Sequence, residues 1–124
     1  MIQIGGRTLL ARYLDALASV GIKQAVIVVG YKQEMIRAAA GSGLSSVAVR
    51  YLESEHYQRG SITSLWRARE ELNGDALIMD ADVLFHRMIL KRLVDSAHPT
   101  ALLMDESVKQ TGEECMVVAQ GSRV

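Results

Sequence analysis

Residues 76–85 read Ala-Leu-Ile-Met-Asp-Ala-Asp-Val-Leu-Phe, a short apolar run that breaks off at two aspartates. The run Ala76–Met79 is too brief for a helix and is expected to form a buried strand. In an open α/β sheet, ligands sit at the carboxyl ends of parallel strands. Asp80 and Asp82 are two residues apart, so on an extended backbone their side chains leave on the same side and can converge on one hard cation. That arrangement would hold magnesium against phosphate oxygens. The alternative is a strand-to-loop turn whose aspartates bond nearby amides. For an isolated D-x-D the turn would lead; the position at the end of a strand favours the cation site.

The rest of the chain supplies the strands and helices such a sheet needs. Gly5-Gly6 is a turn signal. From Thr8 the apolar residues Leu9, Leu10, Tyr13, Leu14, Leu17 and Ala18 form a helical stripe, with Thr8 as N-cap and Gly21 as the left-handed stop. Ala25–Val29 has no polar alternation and reads as a strand covered on both faces. Lys32–Ala40 reads as a short helix before a Gly41-Ser42-Gly43 loop, and Val47–Leu52 as a strand with Val47, Val49 and Tyr51 on one face. After the polar stretch Glu53–Gly60, Ser61 is expected to cap a helix running to Leu72, on whose apolar stripe Trp66 is read as a core residue rather than a base-stacking one. Asn73-Gly74 closes that helix. A further helix follows Phe85 and ends near His98-Pro99, Thr100–Met104 is expected as a strand, and Met116–Ala119 begins another. Alternating strands and helices predict an α/β fold with a mostly parallel sheet.

With 124 residues, 49% apolar and 23% charged, the chain is bounded to one globular domain. Its 14 basic and 14 acidic side chains balance, which gives no reason to expect a nucleic-acid or anionic-membrane partner. Cys115 is the single cysteine, so an internal disulfide is impossible and a reducing, cytoplasmic setting is the default expectation. No apolar run approaches a bilayer span, and no leader-like segment opens the chain. A doubly wound sheet starts with a strand and a glycine-rich phosphate loop, whereas this chain starts on a turn into a helix and stops where a hairpin should close. The expectation is therefore a partial domain, residues 1–124, lacking its first strand and its C-terminal part, inactive alone and exposing apolar surface.

Four segments together resemble one family. Ile4-Gly5-Gly6-Arg7-Thr8-Leu9-Leu10 is similar to the V-G-G-K/R-P-L-L segment of nucleotidyltransferase domains that activate sugar phosphates, phosphocholine and related phosphate monoesters. Gly21-Ile22 with Val26-Ile27-Val28-Val29-Gly30-Tyr31 is similar to G-I-x-x-I-x-V-V-x-G-Y. Ser61-Ile62-Thr63-Ser64-Leu65 resembles the N-I-x-S-L of the phosphocholine-type branch, and Asp80-Ala81-Asp82-Val83 its acidic-A-D-V segment. The resemblance implies a Rossmann-like, GT-A-like three-layer sandwich. It also implies magnesium-dependent transfer of a nucleoside monophosphate, CTP being the favoured donor, to an acceptor such as phosphocholine or a sugar 1-phosphate, with release of pyrophosphate. Asp82 would hold the cation and Asp80 support it, directly or through water. Gly60, Ser61 and Ser64 would meet the nucleotide, and Glu106 of the pair Asp105-Glu106 could reach a cationic acceptor group. The partners implied are a nucleoside triphosphate and a small phosphate monoester, with an oligomer or a fused partner domain also open. Ser61 departs from the branch, where asparagine is usual, and that departure counts against the expected cytidine preference.

Other readings compete. An apolar strand ending in D-x-D also opens haloacid-dehalogenase-type phosphatases, where Asp80 would be the nucleophile and Asp82 the general acid. That motif normally opens its domain, and here it follows several elements. Nucleotide-sugar glycosyltransferases use D-x-D as well, and the same fold occurs in catalytically silent regulatory or assembly modules. His56 and His98 read as loop residues, His86 as either a site neighbour or a helix-start residue, Cys115 as an inert thiol, and the acidic pairs Asp105-Glu106 and Glu113-Glu114 as solvated loop charge, the alternative being that one of them reaches a cationic acceptor group.

Overall fold

The computed structural model describes residues 2–40, 46–105, 107 and 117. Cys115, Glu106, Glu113-Glu114, the Gly41-Ser42-Gly43 loop and the strand expected from Met116 lie outside the described residues, Val117 apart.

The chain opens on a tight hairpin, β1 (Gln3–Ile4) against β2 (Arg7–Thr8), with Gln3 opposite Thr8 and Ile4 opposite Arg7. Two-residue hairpins of the mirror-image type need positive φ at both central positions. Gly5 and Gly6 supply it, at +58° and +73°. The helix α1 (Leu9–Ser19) starts at once, and its cap is the expected one: Thr8 Oγ1 accepts from the Ala11 amide at 3.1 Å. At the other end Gly21, with φ +85°, donates to Ala18 O at 3.1 Å and Ile22 donates to Leu17 O at 3.1 Å. Those two bonds are the paired closure of a glycine-stopped helix. The Arg12 side chain reaches back from α1 to Ile4 O, at 3.1 and 2.6 Å, and ties the helix to the hairpin.

The sheet is a parallel pair, β3 (Gln24–Val29) and β4 (Ala48–Glu53), in register from Gln24 opposite Ala48 to Val29 opposite Glu53. Parallel neighbours need a crossover, and α2 (Gln33–Ala40) lies in it. The ladder is extended by Ala48 N donating to Lys23 O at 2.9 Å and Ser54 N to Val29 O at 2.8 Å. Val47, just before β4, is buried, and Val49 and Tyr51 on the same face are half-buried, while Ala48 and Arg50 between them are exposed. β3 is less covered than expected: Val29 is buried, Val26 is exposed. Among the described residues its ladder partner is β4 alone.

The chain then runs through a 3-10 turn (Tyr57–Arg59), α3 (Ser61–Arg67), a second 3-10 turn (Arg69–Glu71) and α4 (Arg87–Val94). α1 packs against α2 and α4, and α3 against β3. Among the described residues, the buried apolar ones are Leu9, Ala11, Tyr13 and Leu14 of α1, Leu90 of α4, and Val29, Val47 and Leu52 of the sheet region. The mixed α/β class is as expected.

Five expectations are corrected. Ala76–Met79 and Thr100–Met104 form no ladder among the described residues, and Ile78 is 61% exposed. An extended segment becomes a strand only when a neighbour takes its amides and carbonyls. Trp66 is 68% exposed, with the Arg69 guanidinium over its ring at 4.7 Å; among the described residues the sheet has two strands, too narrow to cover the Ile62–Trp66 stripe. The helix expected to reach Leu72 changes to 3-10 geometry after Ala68, whose amide is shared between Ser64 O and Leu65 O at 3.2 and 3.1 Å. Ser61 is the first helical residue and not the cap; Gly60 holds that position, without a side-chain bond.

Candidate active site

From Ala76 to Asp80 the exposure alternates: Leu77 and Met79 are half-buried, whereas Ala76, Ile78 and Asp80 are exposed. The backbone bends at Ala81-Asp82, and Asp82 is exposed too. Both carboxylates are thus open to solvent and available to a ligand. Both also act on Tyr13, whose hydroxyl pKa is raised above the ordinary value, first by burial and then by the negative charges of Asp82 and Asp80. The two aspartates therefore share the neighbourhood of one buried side chain of α1.

Tyr13 holds this corner together. Its hydroxyl donates to the Val83 carbonyl, one residue beyond Asp82, and its ring stacks on Phe85 at 5.2 Å between centroids and 19° between planes. His86 is the N-cap of α4, its Nδ1 accepting from the Met88 amide at 3.3 Å, so the helix-start reading of that residue is the one realised. Beside the corner lies an open groove of about 420 Å³, lined by Arg7, Arg12, Tyr13, Phe85, His86 and Arg87 among others. Arg7 is engaged with Asp15 at 2.6 Å on the same wall.

Gly60, Ser61 and Ser64 stand together at the start of α3. Gly60 has φ +102° and ψ 167°, a backbone region held essentially by glycine alone. Thr63 Oγ1 donates to Gly60 O at 2.8 Å and contacts His56 O at 3.1 Å, which fixes the turn. Ser61 is exposed and Ser64 half-buried. Arg67 Nε donates to Glu53 O at 3.0 Å, anchoring α3 to the end of β4. Among the described residues no hydrogen bond or ion pair joins this trio to Asp80 or Asp82. Asp105 accepts from the amide and hydroxyl of Ser107 at 2.8 and 2.6 Å, and those bonds hold its carboxyl below the usual range. It serves a local turn.

From the sequence, Tyr13 is one residue of the apolar stripe of α1. The available signal was chemical: a buried tyrosine hydroxyl needs a partner, so its position on a core stripe implied a carbonyl opposite.

The MobA-like NTP transferase domain matches residues 1–123. CMP-5'-(3-aminopropyl)phosphonate synthase of Streptomyces rubellomurinus is similar, 31% identical over 100 residues that cover 80% of this chain and 16% of that protein. UTP–glucose-1-phosphate uridylyltransferase AglF of Haloferax volcanii is 26% identical over 109 residues, covering 86% of this chain and 44% of that protein. The chain thus spans less than half the length of either relative. No solved structure matches. In sequence and in fold class, this chain belongs to the MobA-like NTP transferase family.

Proposed function

We propose that the protein transfers a nucleoside monophosphate from a nucleoside triphosphate to a small phosphate- or phosphonate-bearing acceptor, releasing pyrophosphate, and that Asp80 and Asp82 hold the divalent cation the reaction uses. The observation that carries this reading is the pair of exposed carboxylates at the end of a segment whose exposure alternates residue by residue, beside one buried tyrosine, within a family match over residues 1–123.

The donor set suits magnesium. Two carboxylates offer hard oxygen ligands, and this ion is commonly held by one or two carboxylates with water and substrate phosphates completing the shell. When bound, the cation would neutralise triphosphate charge and favour departure of pyrophosphate. The chain's own part is placement. An acceptor phosphate or phosphonate oxygen attacks the α-phosphorus, the new oxygen–phosphorus bond forms as the bond to the bridging oxygen breaks, and that oxygen leaves with pyrophosphate. Gly60, Ser61 and Ser64 face the nucleotide on this reading, Gly60 because the absence of a side chain lets a ligand approach the backbone. The favoured donor is CTP and the favoured acceptor an aminoalkyl phosphate or phosphonate, supported by the name of the 31% identical relative; sugar 1-phosphates follow, supported by the other.

The test is pyrophosphate release by the full-length protein with magnesium, each of the four nucleoside triphosphates, and phosphocholine, an aminoalkylphosphonate or glucose 1-phosphate. Release that requires one donor and one acceptor names both. A folded protein that releases nothing with any pair points to the regulatory module, and phosphate released from the acceptor alone points to the phosphatase.

A further inference from the structure

We infer that Tyr13 is the positioning residue for the acidic pair: its hydroxyl, bound to the Val83 carbonyl, and its ring, stacked on Phe85, set the backbone from which Asp80 and Asp82 project. The inference rests on the reading that these two carboxylates hold the cation.

Residues 75–85 belong to no helix or ladder, and among the described residues the hydrogen bond from Tyr13 to Val83 is the one bond this stretch makes. The tether comes from a rigid support. Tyr13 is 8% exposed and lies mid-way along an eleven-residue helix closed by Thr8 at one end and Gly21 at the other. It grips the chain just beyond the bend, at Val83 through the hydroxyl and at Phe85 through the ring. A leucine would fill the same stripe position without needing a carbonyl, so the hydroxyl has a use that packing does not explain. Two carboxylates repel each other, and convergence on one cation is favoured when the backbone that carries them is already ordered. Loss of the hydroxyl should therefore appear first as weaker cation binding.

The experiment titrates manganese(II), as a spectroscopic stand-in for magnesium, into the full-length protein and follows the free ion by electron paramagnetic resonance. Tyr13→Phe keeps the ring stack and removes the hydroxyl. Its affinity should fall about three- to tenfold, the size of one net hydrogen bond. Asp82→Asn should lose the site, and Leu52→Ala, a core truncation on β4, should lower the melting temperature while binding the ion as wild type does. Tyr13→Phe binding like wild type, while Asp82→Asn does not bind, would overturn the positioning role and leave the metal reading standing. Asp82→Asn binding like wild type would remove the metal reading and this inference with it. A loss in Leu52→Ala equal to that in Tyr13→Phe would reduce the tyrosine's role to general stability and overturn the inference too.

Discussion

Gly30 follows the last residue of β3, and the ring of Tyr57 lies directly against its Cα. A Cβ built there would sit 2.5 Å from Tyr57 Cγ, 2.6 Å from Cδ1 and 2.7 Å from Cβ. Carbon atoms rest at about 3.5–4.0 Å, so in Gly30→Ala the tyrosine must retreat by roughly 1 Å. The atoms in the way are the root of the side chain, which no rotamer change can clear. The 3-10 turn Tyr57–Arg59 has to move, held as it is by Arg59 N on His56 O at 2.9 Å and followed by Gly60 at φ +102°. Overpacking of this kind costs about 1–3 kcal/mol, offset by about 0.4–1 kcal/mol from the reduced freedom of the unfolded chain. The expected net loss is roughly 1–2 kcal/mol. Urea denaturation of wild type, Gly30→Ala, Tyr57→Ala and the double variant separates the terms. With Tyr57 truncated, Gly30→Ala should become neutral or slightly stabilising. The same loss in both backgrounds, within about 0.5 kcal/mol, would refute the clash.

Leu14 is 2% exposed on the buried face of α1, so Leu14→Ala should cost about 2–5 kcal/mol; a chemical-denaturation loss below about 1 kcal/mol would contradict the core assigned to that helix. Burial raises the pKa of Tyr13 and of Tyr51, the latter partly offset by Arg37, whose guanidinium lies 4.8 Å from the ring centre. A raised folded-state value means stability that is fully present below the ordinary tyrosine value near 10.0 and is lost as pH climbs through the folded values. Denaturation midpoints should accordingly be flat across this group's range below that pH and fall above it, and in Tyr13→Phe the alkaline fall should be shallower. An alkaline fall of the same size in Tyr13→Phe would contradict the assignment.

What could be read from the sequence was what neighbours in the chain decide. Thr8 caps α1 and Gly21 closes it because each acts on amides or carbonyls within a turn of its own position. β3 and β4 came out within a residue or so because a run of β-branched residues and the period-2 pattern at Val47, Val49 and Tyr51 are local. The failures share the opposite cause. Whether Ala76–Met79 becomes a strand depends on a partner edge, and Trp66 is covered only if a sheet lies beneath it. Neither condition is written in the segment itself. The Tyr13–Val83 bond joins residues 70 apart in sequence, and the Gly30–Tyr57 contact joins the end of one strand to a turn beyond the next. At the candidate site, the D-x-D spacing announced the carboxylates, while the tyrosine beside them looked like one more member of an apolar stripe.

The claim at the centre of this account is that nucleotidyl transfer depends on the charge at Asp82. The direct measurement is the fate of the label when a nucleoside triphosphate carrying a radioactive α-phosphate is incubated with magnesium, acceptor and the full-length protein, as wild type or as Asp82→Asn. The account predicts label in the acceptor adduct with wild type, and a loss of at least about a hundredfold in the variant, as expected when a charge-stabilising group is removed from a phosphoryl-type transfer. Label reaching the acceptor equally well with Asp82→Asn would contradict it.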